Sequence, residues 1–165
     1  WVTGGASHGG MFASSGWDSG YLASTEYVTV TGTVLGPELP MALIGHAMVA
    51  INRTCSMVLG GLSSGLTSAS TFYYHHNEGE WTTGPSLMKA RRWHAAGIVT
   101  DEVTDENFVA VTGGYIYGAF DSDWGRLDST EILQDGNWVQ GNINDDTICY
   151  LFGKLMVSRH FYRIS

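Results

Sequence analysis

The sequence predicts an all-β fold of short antiparallel strands, and three observations carry that prediction. The first is composition. Of 165 residues, 22 are glycine and 3 proline, 12% are aromatic, 15% are charged, and the only lysines are Lys89 and Lys154. Such a chain suits many short strands joined by turns better than lysine-rich helices. The second is a Gly-Gly that returns after an apolar run, in Val2-Thr3-Gly4-Gly5, Val58-Leu59-Gly60-Gly61 and Val111-Thr112-Gly113-Gly114. The third is that other markers return with it, in a constant order.

Composition also sets exclusions. An apolar fraction of 44% is too high for a disordered chain. No stretch approaches the roughly 18 apolar residues of a membrane span. The formal charge of −8 disfavours a nucleic-acid partner, which requires a basic surface. Cys55 and Cys149 lack metal-ligand spacing, and free, buried thiols are favoured over a disulfide between them. Asn52-Arg53-Thr54 is a glycosylation sequon that matters only if the chain is secreted. The first residue is Trp1, with no signal-type segment before it, so the chain is expected to begin inside a larger protein.

The markers justify the elements in turn. Diglycines recur at intervals of 56 and 53 residues. After each comes Ser-Thr, in Ser24-Thr25-Glu26-Tyr27, Ser70-Thr71-Phe72-Tyr73 and Ser129-Thr130-Glu131-Ile132. A tryptophan follows in Gly79-Glu80-Trp81 and Gly136-Asn137-Trp138, with Val34 expected at that place in the first unit. Gly36-Pro37-Glu38-Leu39 and Gly84-Pro85-Ser86-Leu87 each lead, at equal distance, to His46-Ala47 and His94-Ala95.

In the middle unit, strands are expected over 44–51, 55–60, 70–75 and 79–83. The next unit repeats them over 94–99, 108–112, 129–133 and 138–140. Gly-Gly permits positive φ and close backbone approach. The tryptophans would bury large surfaces between neighbouring units. The Ser-Thr hydroxyls would satisfy backbone groups, and all three prolines fall in links, where no ladder donor is lost. His46 and His94 are expected to pack and hydrogen-bond rather than react.

Four short strands per unit of about 50 residues, in this order, resemble the kelch repeat of β-propellers. The resemblance covers about residues 1–141, as a partial blade 1–35 and blades 36–83 and 84–141. The chain is similar to invertebrate proteins with many kelch repeats. Residues 142–165 diverge, although Leu155-Met156-Val157-Ser158-Arg159 echoes Leu87-Met88-Lys89-Ala90-Arg91 and marks a candidate start of a further blade. Closed propellers have about 4–8 blades, so the resemblance implies four-stranded antiparallel blades of an incomplete, open propeller that needs further blades. Alone it is expected to self-associate.

The resemblance further implies that fourth-to-first and second-to-third strand links share a partner-binding face. Here that face would comprise 36–46 and 84–94 with 6–23, 62–69 and 115–128. Its candidate anchors are Trp17, Tyr21, Arg91, Arg92, Tyr115, Tyr117, Trp124 and Arg126, since aromatics and arginine dominate protein interfaces. Lys89-Ala90-Arg91-Arg92-Trp93 is the most basic stretch, and some kelch domains use arginines there to grip acidic side chains. The alternative is that Arg91 or Arg92 pairs with an acidic residue such as Glu38 or Asp128. The short segment 62–69 offers little.

The implied function is therefore a protein-interaction module without catalysis or cofactor, whose partner is a protein or peptide. The other reading is part of a carbohydrate-binding or galactose-oxidase-like propeller. For a copper site, Tyr73-Tyr74-His75-His76 is the most metal-like cluster. Adjacent strand residues face opposite ways, however, and do not readily chelate one ion. No phosphate-cradling loop, His-Glu-x-x-His or Gly-x-Ser-x-Gly is present.

Overall fold

A computed structural model describes residues 2–6, 20–101, 104–117 and 125–141. Among them the regular structure is all strand, and no helix is long and apolar enough to cross a membrane. In chain order the strands are β1 (Val2–Ala6), β2 (Tyr21–Thr29), β3 (Gly32–Leu35), β4 (Ala47–Ala50), β5 (Cys55–Leu59), β6 (Leu62–Ser63), β7 (Leu66–Thr67) and β8 (Thr71–His75). Then come β9 (Glu80–Thr83), β10 (Ala95–Thr100), β11 (Asn107–Thr112), β12 (Tyr115–Ile116), β13 (Gly125–Arg126), β14 (Thr130–Gln134) and β15 (Asn137–Gly141).

They form antiparallel sheets, none closed. The first is β1-β2-β3, the second β4-β5-β8-β9 and the third β10-β11-β14-β15. The hairpins β6-β7 and β12-β13 stand outside them. One expected strand is shortened at its start: Ile44 instead bridges Leu62, and Gly45 adopts a φ of 66°.

The second sheet packs on both faces, and β5 shows why. Side chains of successive strand residues point to opposite faces. Met57 and Leu59 join Val49, Leu87, Val111 and Trp138, between the second and third sheets. Val58 joins Leu39, Leu43 and Phe72, between the first and second. An uninterrupted apolar run is what a strand buried on both sides needs. Each such side chain contributes about 1.5–3 kcal/mol.

The recurring markers coincide with recurring hydrogen bonds. The Pro37 carbonyl accepts from Thr25 Oγ1 at 2.8 Å and from the Trp81 indole at 3.1 Å. The Pro85 carbonyl accepts from Thr71 Oγ1 at 2.8 Å and from the Trp138 indole at 2.9 Å. Proline cannot donate, but its carbonyl keeps two lone pairs, and here each pair ties a link to the sheet on either side. Cross-strand register places Trp81 opposite Tyr74, Trp138 opposite Leu133 and Thr33 opposite Val28. Thr33, rather than Val34, therefore stands at the tryptophan position of the first sheet.

The second and third diglycines lie where links cross, whereas the first falls inside β1. Gly60 has a φ of 59°, and a Cβ there would strike the Arg91 carbonyl. Gly114 has a φ of 95°, and its Cβ would lie 2.7 Å from the Arg92 carbonyl. Both the backbone conformation and the space demand glycine. His46 and His94 pack beside Gly61 and Gly114 respectively. Trp17, Trp124, Cys149 and the segment 142–165 lie outside the described residues.

A candidate binding end of arginine and aromatic side chains

The link Gly84–His94 carries two adjacent arginines with different fates. The Arg91 side chain is fully buried. Its Nη2 donates to Glu131 Oε1 at 2.6 Å, and its Nη1 donates to the carbonyls of Gly113 at 2.8 Å and Ser129 at 3.1 Å. Glu131 is itself buried. It also accepts the backbone N–H groups of Met88 at 2.7 Å and Lys89 at 3.0 Å. Charge-assisted bonds of this kind satisfy a buried pair that would otherwise be costly. Arg91 is thus an interior clasp between link and third sheet, not an exposed anchor, and its carboxylate is Glu131 rather than Glu38 or Asp128.

Arg92 turns the other way. Its backbone exchanges two bonds of 2.9 Å with Tyr115, which fixes the link against β12. Its guanidinium lies 4.3 Å from the Trp93 ring centroid and 5.5 Å from that of Tyr117. Trp93 meets Tyr115 edge-on at 6.0 Å, and the Arg126 guanidinium lies 6.0 Å from the Tyr115 ring. These are cation–π and T-shaped geometries that hold flat side chains in place. Trp93 and Tyr115 remain 49% and 40% exposed, so the cluster faces solvent. Among the described residues neither Arg92 nor Arg126 forms an ion pair.

Two further features hold this end. Trp93 adopts a φ of 52°, a conformation that costs a non-glycine residue about 1 kcal/mol or more. It is held by a 2.7 Å bond from its N–H to the Gly45 carbonyl, and its indole lies over the bare Cα of Gly45. The segment 62–69 is the β6-β7 hairpin, turned through Ser64 and Gly65 at φ 47° and 78°, as tight two-residue turns require. From it, Thr67 Oγ1 accepts the Tyr117 N–H at 2.8 Å, and the Thr67 N–H reaches the Tyr117 carbonyl at 3.1 Å.

The structure therefore gathers Arg92, Tyr115, Tyr117 and Arg126, adds Trp93, and withdraws Arg91. Tyr21 opens β2, paired with Ala6 in the first sheet. The signal for Arg91 is in the repeat itself: Leu43 occupies the same place in the preceding link, and both are fully buried.

Behind the cluster, His94 is driven down to about 3, first by burial and then by the charges of Arg91 and His46. It is neutral at physiological pH. The metal-like run divides by strand alternation. The Tyr73 ring lies tilted near that of His75, and Tyr74 meets His76 edge-on. His76 Nε2 bonds Ser56 Oγ at 2.9 Å, and His75 Nε2 bonds Thr82 Oγ1 at 2.8 Å. Among the described residues no three His, Cys, Asp or Glu side chains are grouped to hold a metal ion. The Cys55 thiol is free, and burial, with Glu78 nearby, raises its pKa. Asn52 is exposed, and its Oδ1 accepts both the N–H and the hydroxyl of Thr54.

No family model matches the chain, and no curated protein matches it.

Proposed function

We propose that the chain is a segment of a kelch-type β-propeller that serves as a non-catalytic protein-interaction module. Its ligand is a peptide or protein surface bearing carboxylates. The observation that carries this reading is the convergence of Arg92 and Arg126 with half-exposed Trp93 and Tyr115. Arginine presents a planar fork suited to carboxylates. Its stacking on rings reduces the freedom lost on binding, and aromatic anchors supply buried area. The overall negative charge favours no acidic partner, so attraction must be local to this end. The serial sheets, with their shared Gly-Pro and Thr contacts, are what support the kelch reading, and the missing blades would complete the ring.

The test is binding of acidic peptides, followed by calorimetry. Arg92→Ala and Arg126→Ala each weaken binding roughly tenfold while the fold survives. Binding unchanged in both variants would refute the assignment. A half-exposed tryptophan also suits the face of a sugar ring, which favours carbohydrate as the second reading. A glycan array separates the two: sugar binding that persists without Arg92 and Arg126 selects it.

A further inference from the structure

The three sheets share one register, and it singles out Glu26. Thr25 and Thr71 make the same bond to a link proline, and Thr130 takes the same place in β14, before a strand pair that ends at Gly141. The next residue in each sheet is Glu26, Phe72 or Glu131. Phe72 and Glu131 face the link that precedes their own sheet. Phe72 packs with Leu43 of the first link. Glu131 clasps Arg91 of the second, together with the Met88 and Lys89 N–H groups. The pairs differ as a unit: leucine meets phenylalanine, arginine meets glutamate.

Glu26 points away from the second sheet, because its neighbours Thr25 and Tyr27 bond Pro37 and Tyr74 there. It is exposed, opposite Leu35. Leu35 and Val28 are 76% and 59% exposed. This is the Glu131 arrangement without its link: a carboxylate in an apolar sheet face.

We infer that the outer face of β2-β3, centred on Glu26, seats a Gly-Pro link of another repeat unit that carries leucine and arginine at the Leu87–Arg91 spacing. Its arginine meets the Glu26 carboxylate, and its two backbone N–H groups complete the acceptor sites, as at Glu131. A leucine-type link like that of Leu43 is disfavoured, since it would desolvate Glu26 without a partner. Two copies of this face do not suit each other, because they would oppose carboxylate to carboxylate. The seat belongs to the first sheet, whereas Arg92, Trp93 and Tyr115 belong to the second link and β12.

The experiment uses a labelled synthetic peptide with the sequence of residues 84–94, titrated with dilute protein. Saturable binding is expected, weakened roughly tenfold or more by Arg91→Leu in the peptide and equally by Glu26→Gln in the protein. Glu26→Phe should reverse the preference toward a peptide with the sequence of residues 36–46. Glu26 is exposed, so both protein variants keep the fold. Absence of binding, or binding indifferent to Glu26, overturns the inference.

Discussion

Arg91 meets Glu131 at 2.6 Å in the place where, one sheet earlier, Leu43 packs against Phe72. The two interfaces solve one packing problem with different chemistry. Breaking a buried pair leaves a bare charge, whereas replacing both members by apolar groups is often neutral. Glu131→Gln should therefore destabilise the chain by about 3 kcal/mol. Arg91→Leu combined with Glu131→Phe, which copies the Leu43–Phe72 pair, should recover most of that loss. Chemical denaturation of the single and double variants measures both. A double variant no more stable than Glu131→Gln would show that the interfaces are not interchangeable.

The proline carbonyls make a second, smaller claim. Trp138 donates to Pro85 and Trp81 to Pro37. Phenylalanine keeps much of the ring and removes the donor. Trp138→Phe and Trp81→Phe should each cost about 1 kcal/mol for the lost bond, with a further loss from the smaller ring. Trp138 is the more buried of the two, so its substitution should lower the denaturation midpoint further.

Much of this was legible because repetition states which residues share a role. Thr25 and Thr71, Pro37 and Pro85, Trp81 and Trp138 recur in sequence and make the same bonds in space. The arginines were harder. Arg91 and Arg92 are adjacent and chemically identical, and in an extended link neighbours face opposite ways. Composition cannot say which one turns inward; only alignment with buried Leu43 does. Trp93 and the β6-β7 hairpin were less visible, since their roles depend on Gly45 and Tyr117, which are distant in sequence.

Trp93 combines backbone strain with surface exposure, and the two are separable. Trp93→Gly removes the side chain and relaxes the positive φ, whereas Trp93→Ala removes the side chain and keeps the strain. The glycine variant should be more stable than the alanine variant by about 1 kcal/mol. Both should lose the acidic-peptide binding proposed for this end. Equal thermal stability of the two would mean that the link shifts to another conformation once the indole is gone.

His94 makes stability sensitive to mild acid. Its folded value of about 3 lies below the ordinary 6.5. Above about pH 6.5 the imidazole is neutral in both states and contributes no pH dependence. Below it the unfolded chain takes up a proton that the folded chain refuses. Stability should fall by about 1.4 kcal/mol per pH unit, continuing toward the folded value near 3. Carboxylates add their own effects only lower, so the window between about pH 6.5 and 5 reports histidines, and comparison with His94→Gln separates His94 from the other five. Denaturation midpoints across that window should slope less steeply in His94→Gln than in the parent chain.

The edge of the first sheet bears on how the chain behaves in solution. β3 ends the order β1-β2-β3; its Val34 and Leu35 are 61% and 76% exposed, and Val30, in the turn that leads into it, is 106% exposed. An apolar edge strand with free backbone groups is a template for pairing with another chain. The chain should therefore self-associate as its concentration rises, followed by light scattering or sedimentation. Val34→Lys places a charge on that edge without removing a buried contact, and it should suppress the association while leaving thermal stability nearly unchanged. A parent chain that stays monomeric over a wide concentration range would mean that this edge is covered, and the open-sheet arrangement would need revision.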